Sequence, residues 1–326
     1  MSERIAVISS SYPRRTGDAA GHFVASEVQR AVHAGHDVHV FAPGAGACVV
    51  DGATMHWLAD HGAFGWPGAL SRISERPTRV LGALAFCARA QHALQLGGPF
   101  TRVQAHFLLP CAWPIAAFGA RSGAALELIG HGSDVRLFCR LPAPLRARIA
   151  KRWLQRGARL RVTSQELAAR LSAASPELAS ALYVAASPID VSGTATRSEA
   201  RQALHIASGA RLAVVVARLV PEKRVALALQ ALALLDALTP VVVGDGPELP
   251  ALRARFPAVH FTGALPRPEA LRYIAAADVL VSASETEGAP SVVREARALG
   301  VPVVAVRAGD LASWAERDPG LRLVGA

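Results

Sequence analysis

Two glutamates eight positions apart, Glu287 and Glu295, are the most chemically suggestive pair in the chain. They sit in Glu287-Gly288-Ala289-Pro290-Ser291-Val292-Val293-Arg294-Glu295, directly after an apolar run at 278–282 that reads as a strand. Glu287 falls in the loop at the strand tip. Glu295 falls about one turn into the next helix, with Pro290 in its first turn and Ser291 able to cap it. Both carboxylates could then face one crevice beside a helix N-terminus, which attracts anions. The plainer alternative makes Glu295 a solvated helix position and Glu287 a turn residue. A second cluster, Arg218-Leu219-Val220-Pro221-Glu222-Lys223, follows the run 212–217. A planar guanidinium at a strand tip and an ammonium at the start of the next helix make a cradle for a diphosphate, unless the segment is simply a solvated turn.

Three weaker clusters also follow strand-like runs. Gly244-Asp245-Gly246-Pro247 offers two glycines that let backbone approach a ligand closely, with Asp245 read as a helix cap. His131-Gly132-Ser133-Asp134 places an imidazole at a strand tip, and His106 ends another run that could line the same cleft. Gly17-Asp18-Ala19-Ala20-Gly21-His22 has glycines where a phosphate loop would be, without G-x-G-x-x-G or G-x-x-x-x-G-K-[ST]. That disfavours a standard dinucleotide fold and a P-loop NTPase. No Asp-x-Asp pair occurs, so a carboxylate clamp for a metal–diphosphate has no evident donor.

Positioning such residues at strand tips requires alternating strands and helices, and the chain supplies them. Strands are expected at 5–8, 38–41, 102–106 and 126–130, with helices over 20–34 and 78–96. After a Ser, Ala, Pro and Thr-rich junction at 172–198, the alternation restarts. Strands follow at 212–217, 241–243, 259–262, 278–282 and 301–306, and helices over 224–235, 248–255, 267–276 and 291–299. Apolar strands without alternation mean parallel sheets covered on both faces. Two doubly wound halves bind ligands at the carboxyl ends of their strands.

Composition bounds the rest. The 326 residues suit two domains, and 52% apolar content excludes a disordered or fibrous chain. Lys+Arg 35 against Asp+Glu 25 leaves +10, fitting anionic substrates, polyanions or a membrane surface. Arginine supplies nearly all of that charge. Lys151 and Lys223 are the only lysines and asparagine is absent, a bias that singles out Lys223. Cys48, Cys87, Cys111 and Cys139 show no C-x-x-C spacing, as expected for reduced thiols in a cytoplasm rather than zinc or disulfides. No secretory signal or membrane span is expected. Within 142–156, Leu145, Ile149 and Trp153 recur at helical spacing among Arg146, Arg148, Lys151, Arg152 and Arg156. Such a helix either lies peripherally on the inner face of an anionic membrane or packs on its own domain with a solvated basic face.

Taken in order, the His-Gly-Ser-Asp tip, the R-x4-K pair, the Gly-Asp-Gly-Pro turn and the E-x7-E loop resemble the retaining glycosyltransferases of family 4. The run Val301-Pro302-Val303-Val304-Ala305 after Gly300 adds to the likeness. The resemblance implies the α/β GT-B fold, two Rossmann-like domains whose parallel sheets face across a cleft. Residues 1–180 would be the acceptor side and 181–326 the nucleotide-sugar side. Arg218 and Lys223 would neutralise the donor diphosphate without a metal or other cofactor. Glu295 would hold the ribose hydroxyls and Glu287 would contact the donor sugar. Gly288, Ala289, Pro290 and Ser291 would line the sugar and phosphate pocket, beside Gly244 and Gly246. His131 would reach the sugar and Gly17 would admit the phosphates. The donor implied is a UDP-sugar, and the acceptor a glycan, a lipid-linked molecule or a small molecule.

Departures from the family pattern are the Gly17-Asp18 pair, Ile189-Asp190 after Pro188, and Ala308-Gly309-Asp310-Leu311 after Val306. The C-terminus also looks short for the family, as in a compact member or a truncated one. The competing functions are a nucleotide-sugar epimerase or phosphorylase of the same fold, and a non-catalytic nucleotide-sugar-binding subunit that needs a partner chain. No basic–aromatic pattern supports nucleic-acid binding.

Overall fold

The computed structural model describes residues 2–15, 18, 20–46, 50–65, 68–117, 123–207 and 209–325, the side chains of 70 and 71 excepted. The chain divides into two compact units, Met1–Pro188 and Ile189–Ala326.

In the first unit the strands are β1 (Arg4–Ser9), β2 (Asp37–Pro43), β3 (Ala53–Leu58), β4 (Arg102–His106), β5 (Ala125–Gly130), β6 (Arg159–Val162) and β7 (Leu182–Val184). They pair in parallel in the order β3-β2-β1-β4-β5-β6-β7. In the second unit β8 (Leu212–Val216), β9 (Thr239–Val243), β10 (His260–Gly263), β11 (Val279–Ser282), β12 (Val303–Val306) and β13 (Leu321–Val324) pair in parallel as β10-β9-β8-β11-β12-β13. Each sheet reverses its winding beside its first strand, between β1 and β4 and between β8 and β11. Loops leaving those strand tips splay apart and open a crevice.

Burial explains the unalternating strands. Leu212 and Val214 join one core with Ile274, Val293 and Val303. Ala213 and Val215, on the opposite face of the same strand, join another with Val225, Leu229 and Val242. Both faces are covered, so neither parity is polar. The first unit repeats this with Phe41, Phe86, Leu128 and Trp153 on one side and Val7, Val24, Val28 and Val40 on the other.

The structure contains two strands that the sequence expectations lacked, β3 and β6, and differs from them elsewhere as well. The stretch 172–198 contains β7, which extends the first sheet through Leu160↔Leu182, Arg161↔Tyr183 and Val162↔Val184. Three residues are too few to show a period, and the pairing keeps the chain with the first unit as far as Pro188. At the C-terminal end, Leu321–Val324 is a sheet strand paired with β12. Finally, the helix Ala143–Gln155 presents its apolar side to its own domain. Ile149 and Trp153 are fully buried, Trp153 lies against Phe138 with centroids 5.0 Å apart, and Leu145, the third residue of the stripe, is exposed. Arg146 donates to the carbonyls of Ala174 (2.8 Å) and Leu141 (2.7 Å). Of the two readings of this helix, these contacts match the one that packs it on its own domain with Arg148 and Lys151 exposed. Among the described residues no helix is long and apolar enough to cross a membrane.

Candidate functional site

In the second unit, β9, β8 and β11 are neighbours, so the loops at their carboxyl ends lie side by side. The β8 loop is stitched to the β9 loop by backbone bonds from Ala217 to Val243 (3.1 Å), Leu219 to Asp245 (2.8 Å) and Glu248 to Leu219 (3.1 Å). Gly244 has φ +145° and Gly246 φ +157°. A Cβ on Gly244 would collide with the Ala217 carbonyl, and one on Gly246 with the Leu219 carbonyl. Both glycines are therefore demanded by the neighbouring loop, before any ligand is considered. Asp245 is not the helix cap expected: its Oδ1 accepts from the Gly246 amide (2.7 Å), and the helix Leu249–Arg255 starts from Glu248 with no side-chain cap.

Pro221–Lys223 forms a short 3-10 turn, and the helix Val225–Leu232 starts after it. Lys223 therefore lies before the helix, and its Nζ donates to Glu287 Oε1 at 2.5 Å. Those side chains are 17% and 13% exposed, so the pair is largely withdrawn from water. The Glu285 amide donates to the Glu222 carbonyl (2.9 Å) and locks the two loops together. Arg218, at the tip of β8, lies 3.7 Å from Glu222 and is 40% exposed, leaving its guanidinium accessible at the crevice.

Glu287 and Glu295 flank the start of the helix Ser291–Ala298. Pro290 occupies the N-cap position and makes no side-chain cap, so Ser291 is the first helical residue and not the cap expected. The first-turn amides of a helix have no intrahelical acceptor and carry the positive end of its dipole. Gly288 and Pro290 are buried while Ala289 and Ser291 are half-buried at this end. Glu295 is not solvated. It is 6% exposed, and its Oε1 accepts from Arg267 Nη2 at 2.9 Å. The same Nη2 reaches the Asp190 carbonyl (2.5 Å), and Arg267 Nε is buried without a hydrogen-bond partner.

Two residues of this site escaped the sequence reading. Arg267 opens the helix after β10, and its only advance signal was an arginine at a strand–helix junction. Gly309 has φ +51°, and a Cβ there would stand 2.5 Å from the Glu287 carbonyl and 2.7 Å from that of Gly288. It lets the β12 loop buttress the Glu287 loop.

In the first unit the corresponding tips are those of β1, β4 and β5. Gly17 lies outside the described residues. Asp18 organises the loop after β1, its Oδ1 accepting from the Ala20 amide (2.9 Å) and its Oδ2 from Arg14 (3.1 Å). Gly21, φ +65°, has a steric need there, since a Cβ would strike the Ser11 carbonyl. His131, at the tip of β5, is partly exposed, and its Nε2 lies 3.1 Å from His106 Nδ1 at the tip of β4. Phe23 and Phe107 confine its ring at 4.6 and 4.9 Å between centroids. Asp134 fixes the turn by accepting from the amides of Leu108 (2.8 Å), Gly132 (2.9 Å) and His131 (3.0 Å).

Behind the two imidazoles runs a charged network the sequence did not reveal. Glu27 Oε2 pairs with Arg161 Nη2 at 2.5 Å, and Arg161 Nε lies 3.9 Å from Glu127. Glu127 also accepts from Tyr183 (2.5 Å) and Gln104 (2.8 Å). Burial drives the His106 pKa down to about 3, with the Arg161 charge adding to the effect and Glu127 opposing it. Burial, then His106, holds His131 well below the ordinary imidazole value. Burial raises the Glu127 carboxyl, but the bonds from Tyr183 and Gln104 and the charge of Arg161 outweigh it, leaving the net shift downward. Burial and Glu127 together push Tyr183 up to about 12. Near neutral pH both histidines are uncharged hydrogen-bonding groups. Among the described residues no group of three His, Cys, Asp or Glu side chains is placed to hold a metal.

The family model for glycosyl transferases group 1 matches residues 210–324, the stretch that carries Arg218, Lys223, Glu287 and Glu295. TuaC of Bacillus subtilis, named for a glycosyltransferase of teichuronic acid biosynthesis, is 32% identical over 213 residues, 65% of this chain and 54% of that protein. A GDP-mannose-dependent alpha-mannosyltransferase of Mycobacterium tuberculosis is 43% identical over 94 residues, 29% of this chain and 25% of the relative. The chain thus spans about half the length of the first relative and a quarter of the second. Among solved structures, sucrose-phosphate synthase of Thermosynechococcus elongatus superposes with a TM-score of 0.74 at 18% identity, over 99% of this chain and 86% of that one. HepE of Anabaena, solved with UDP and glucose, gives 0.69 at 20% identity over 99% and 86%. At those identities the likeness establishes the fold: two Rossmann-like α/β domains of the GT-B type.

Proposed function

We propose that this chain transfers a glycosyl group from a nucleoside-diphosphate sugar to an acceptor, with retention of anomeric configuration. The observation that carries the reading is the Lys223–Glu287 contact at 2.5 Å, which joins the R-x4-K and E-x7-E motifs in one crevice at the switch point of the second sheet. The family match over 210–324 supports the same chemistry, and retention rests on the resemblance of the motifs.

In this reading, breaking the bond between the sugar and the diphosphate leaves negative charge on the departing phosphate oxygen. Lys223 and Arg218 meet that charge, aided by the amides that open the helix Ser291–Ala298, and no metal is invoked. Lys223, held by Glu287 when no ligand is bound, swings its ammonium toward the phosphate. Glu287 then stays beside the donor sugar. Glu295, anchored by Arg267, accepts from the ribose hydroxyls. His131 offers a neutral imidazole to a sugar hydroxyl at the tips of the first sheet. No nucleophile is assigned. The acceptor is a glycan, a lipid-linked molecule or a small molecule, and the proposed location is the cytoplasm.

Uridine is the base first proposed. The mannosyltransferase relatives favour a second reading, a GDP-sugar, because their identity to this chain is the higher. Thermal-shift titrations with UDP, GDP and ADP decide between them, followed by donor-hydrolysis and transfer assays on the wild type and Lys223→Ala. One nucleoside diphosphate should raise the Tm, and Lys223→Ala should abolish most of that rise. If none does so, the donor assignment is wrong. Binding without release or transfer of sugar would leave a nucleotide-sugar-binding subunit in its place.

A further inference from the structure

We infer that Glu27, His106 and His131 form a hydrogen-bonded relay that keeps the proton of His131 on Nε2 and leaves its Nδ1 bare, as an acceptor for a ligand hydroxyl. Glu27 lies on the helix His22–His33, four residues after Phe23, whose ring packs on His131. Its Oε2 is engaged by Arg161 at 2.5 Å. Its Oε1 is buried with no hydrogen-bond partner, and so is His106 Nε2. These two orphaned atoms belong to groups only 4.0 Å apart, measured from His106 Nε2 to Glu27 Oε2. Buried polar atoms rarely remain unpaired, so one water or a small rotation of Glu27 closes the gap. Glu27 itself lines a pocket of about 300 Å³ with Gln104 and Arg161.

The direction of the relay follows from donor and acceptor counting. A carboxylate only accepts, so the His106 nitrogen that faces it carries the hydrogen. The uncharged ring then has a bare Nδ1, which must accept from His131 Nε2 at 3.1 Å. The two ring planes lie within 9° with centroids 5.3 Å apart, the separation of imidazoles joined edge to edge by an N–H···N bond rather than stacked face to face. His131, also uncharged, is left with a bare Nδ1 on a partly exposed ring. The reverse tautomer would set the His106 lone pair against the Glu27 carboxylate. Of the other charged or titratable groups around the relay, Arg161 holds Glu27 through Nη2 and lies 3.9 Å from Glu127, whose two oxygens are taken up by Tyr183 and Gln104. Glu27 and His106 are thus positioning residues acting through His131. The ligand's identity as a sugar rests on the proposed function, while the tautomer does not.

The test is a long-range ¹H–¹⁵N correlation on the full chain labelled with ¹⁵N-histidine, at pH 7.5. Both His106 and His131 should show the pattern of the Nε2-protonated tautomer, with the Nδ1 resonance far downfield. A His131 ring protonated on Nδ1, or on both nitrogens, overturns the relay in the wild type alone. In Glu27→Leu the carboxylate is gone, and the His131 proton should move to Nδ1 as His106 Nδ1 becomes the donor. A folded Glu27→Leu protein whose His131 keeps the wild-type tautomer also overturns it. Nucleoside diphosphate binding, assigned to the second unit, should be unchanged in this variant. Failure of the wild type to bind any nucleotide refutes the proposed function and leaves the tautomer result standing.

Discussion

Acidification should destabilise the first unit through His106, and the size of the loss can be worked out. The ordinary imidazole value is 6.5, and in the folded chain burial brings His106 down to about 3. Between those values the unfolded chain binds a proton that the folded chain refuses. The His106 contribution is therefore complete above pH 6.5 and is lost as pH falls from 6.5 toward 3. At pH 5 the deficit is about 1.5 pH units, or about 2 kcal/mol at 1.36 kcal/mol per unit. For a unit of this length that corresponds to a fall in Tm of about 4–8 °C.

His131 and the half-buried His56 shift in the same direction and add to the loss. Asp134, raised by burial, works against it, since its folded carboxyl takes up a proton before the unfolded one does. Glu127 contributes only below its ordinary value of 4.5. The difference between wild type and His106→Gln removes these shared effects, because glutamine keeps a hydrogen-bonding group toward His131 and does not titrate. Thermal unfolding by circular dichroism at pH 7.5 and 5.0, at matched ionic strength, should show a larger drop for the wild type by about 4–8 °C. Equal drops in the two proteins would refute both the burial of a neutral His106 and its place in the network.

Lys223→Met and Glu287→Gln, alone and combined, should couple by about 1–3 kcal/mol in urea unfolding, because each single change removes one half of a mostly buried ion pair. Additive effects would mean that the 2.5 Å contact is not made in solution. Gly309→Ala should cut sugar transfer more than it lowers Tm, since the added methyl displaces the Glu287 and Gly288 carbonyls at a loop tip and not in a core. Wild-type kcat and KM in that variant would contradict the buttress. Trp153→Ala should cost the first unit about 3–5 kcal/mol. Binding of anionic vesicles should be no different after Arg148→Glu and Lys151→Glu, and a loss of binding there would assign this helix a membrane role.

Much of the architecture was legible because parallel strands buried on both faces leave continuous apolar runs. The strands at 102–106 and 212–216 and the helix over 267–276 could be located from the apolar pattern alone. The site motifs were legible for a related reason: in a doubly wound sheet chemistry gathers at strand tips, so Arg218, Lys223, Glu287 and Glu295 were marked by where they fall in the alternation. Short or composition-poor strands were not. Residues 182–184 and 321–324 carry too few side chains to show a period, and only pairing with β6 and β12 makes them strands.

Side-chain partnerships lay further out of reach. Lys223 and Glu287 are 64 residues apart and Glu27 and Arg161 are 134 apart, separations at which nothing local signals a contact. The apolar stripe of Ile149 and Trp153 suited a core and a membrane equally well, since periodicity says that a face is buried and not what buries it. The sequence by itself thus determined the alternation, the strand tips and the residue types placed on them, all set by local spacing and polarity. The tertiary structure alone decided which charges pair, which glycines are sterically required and which histidines are held neutral, because those depend on distances and desolvation created only when remote segments pack together.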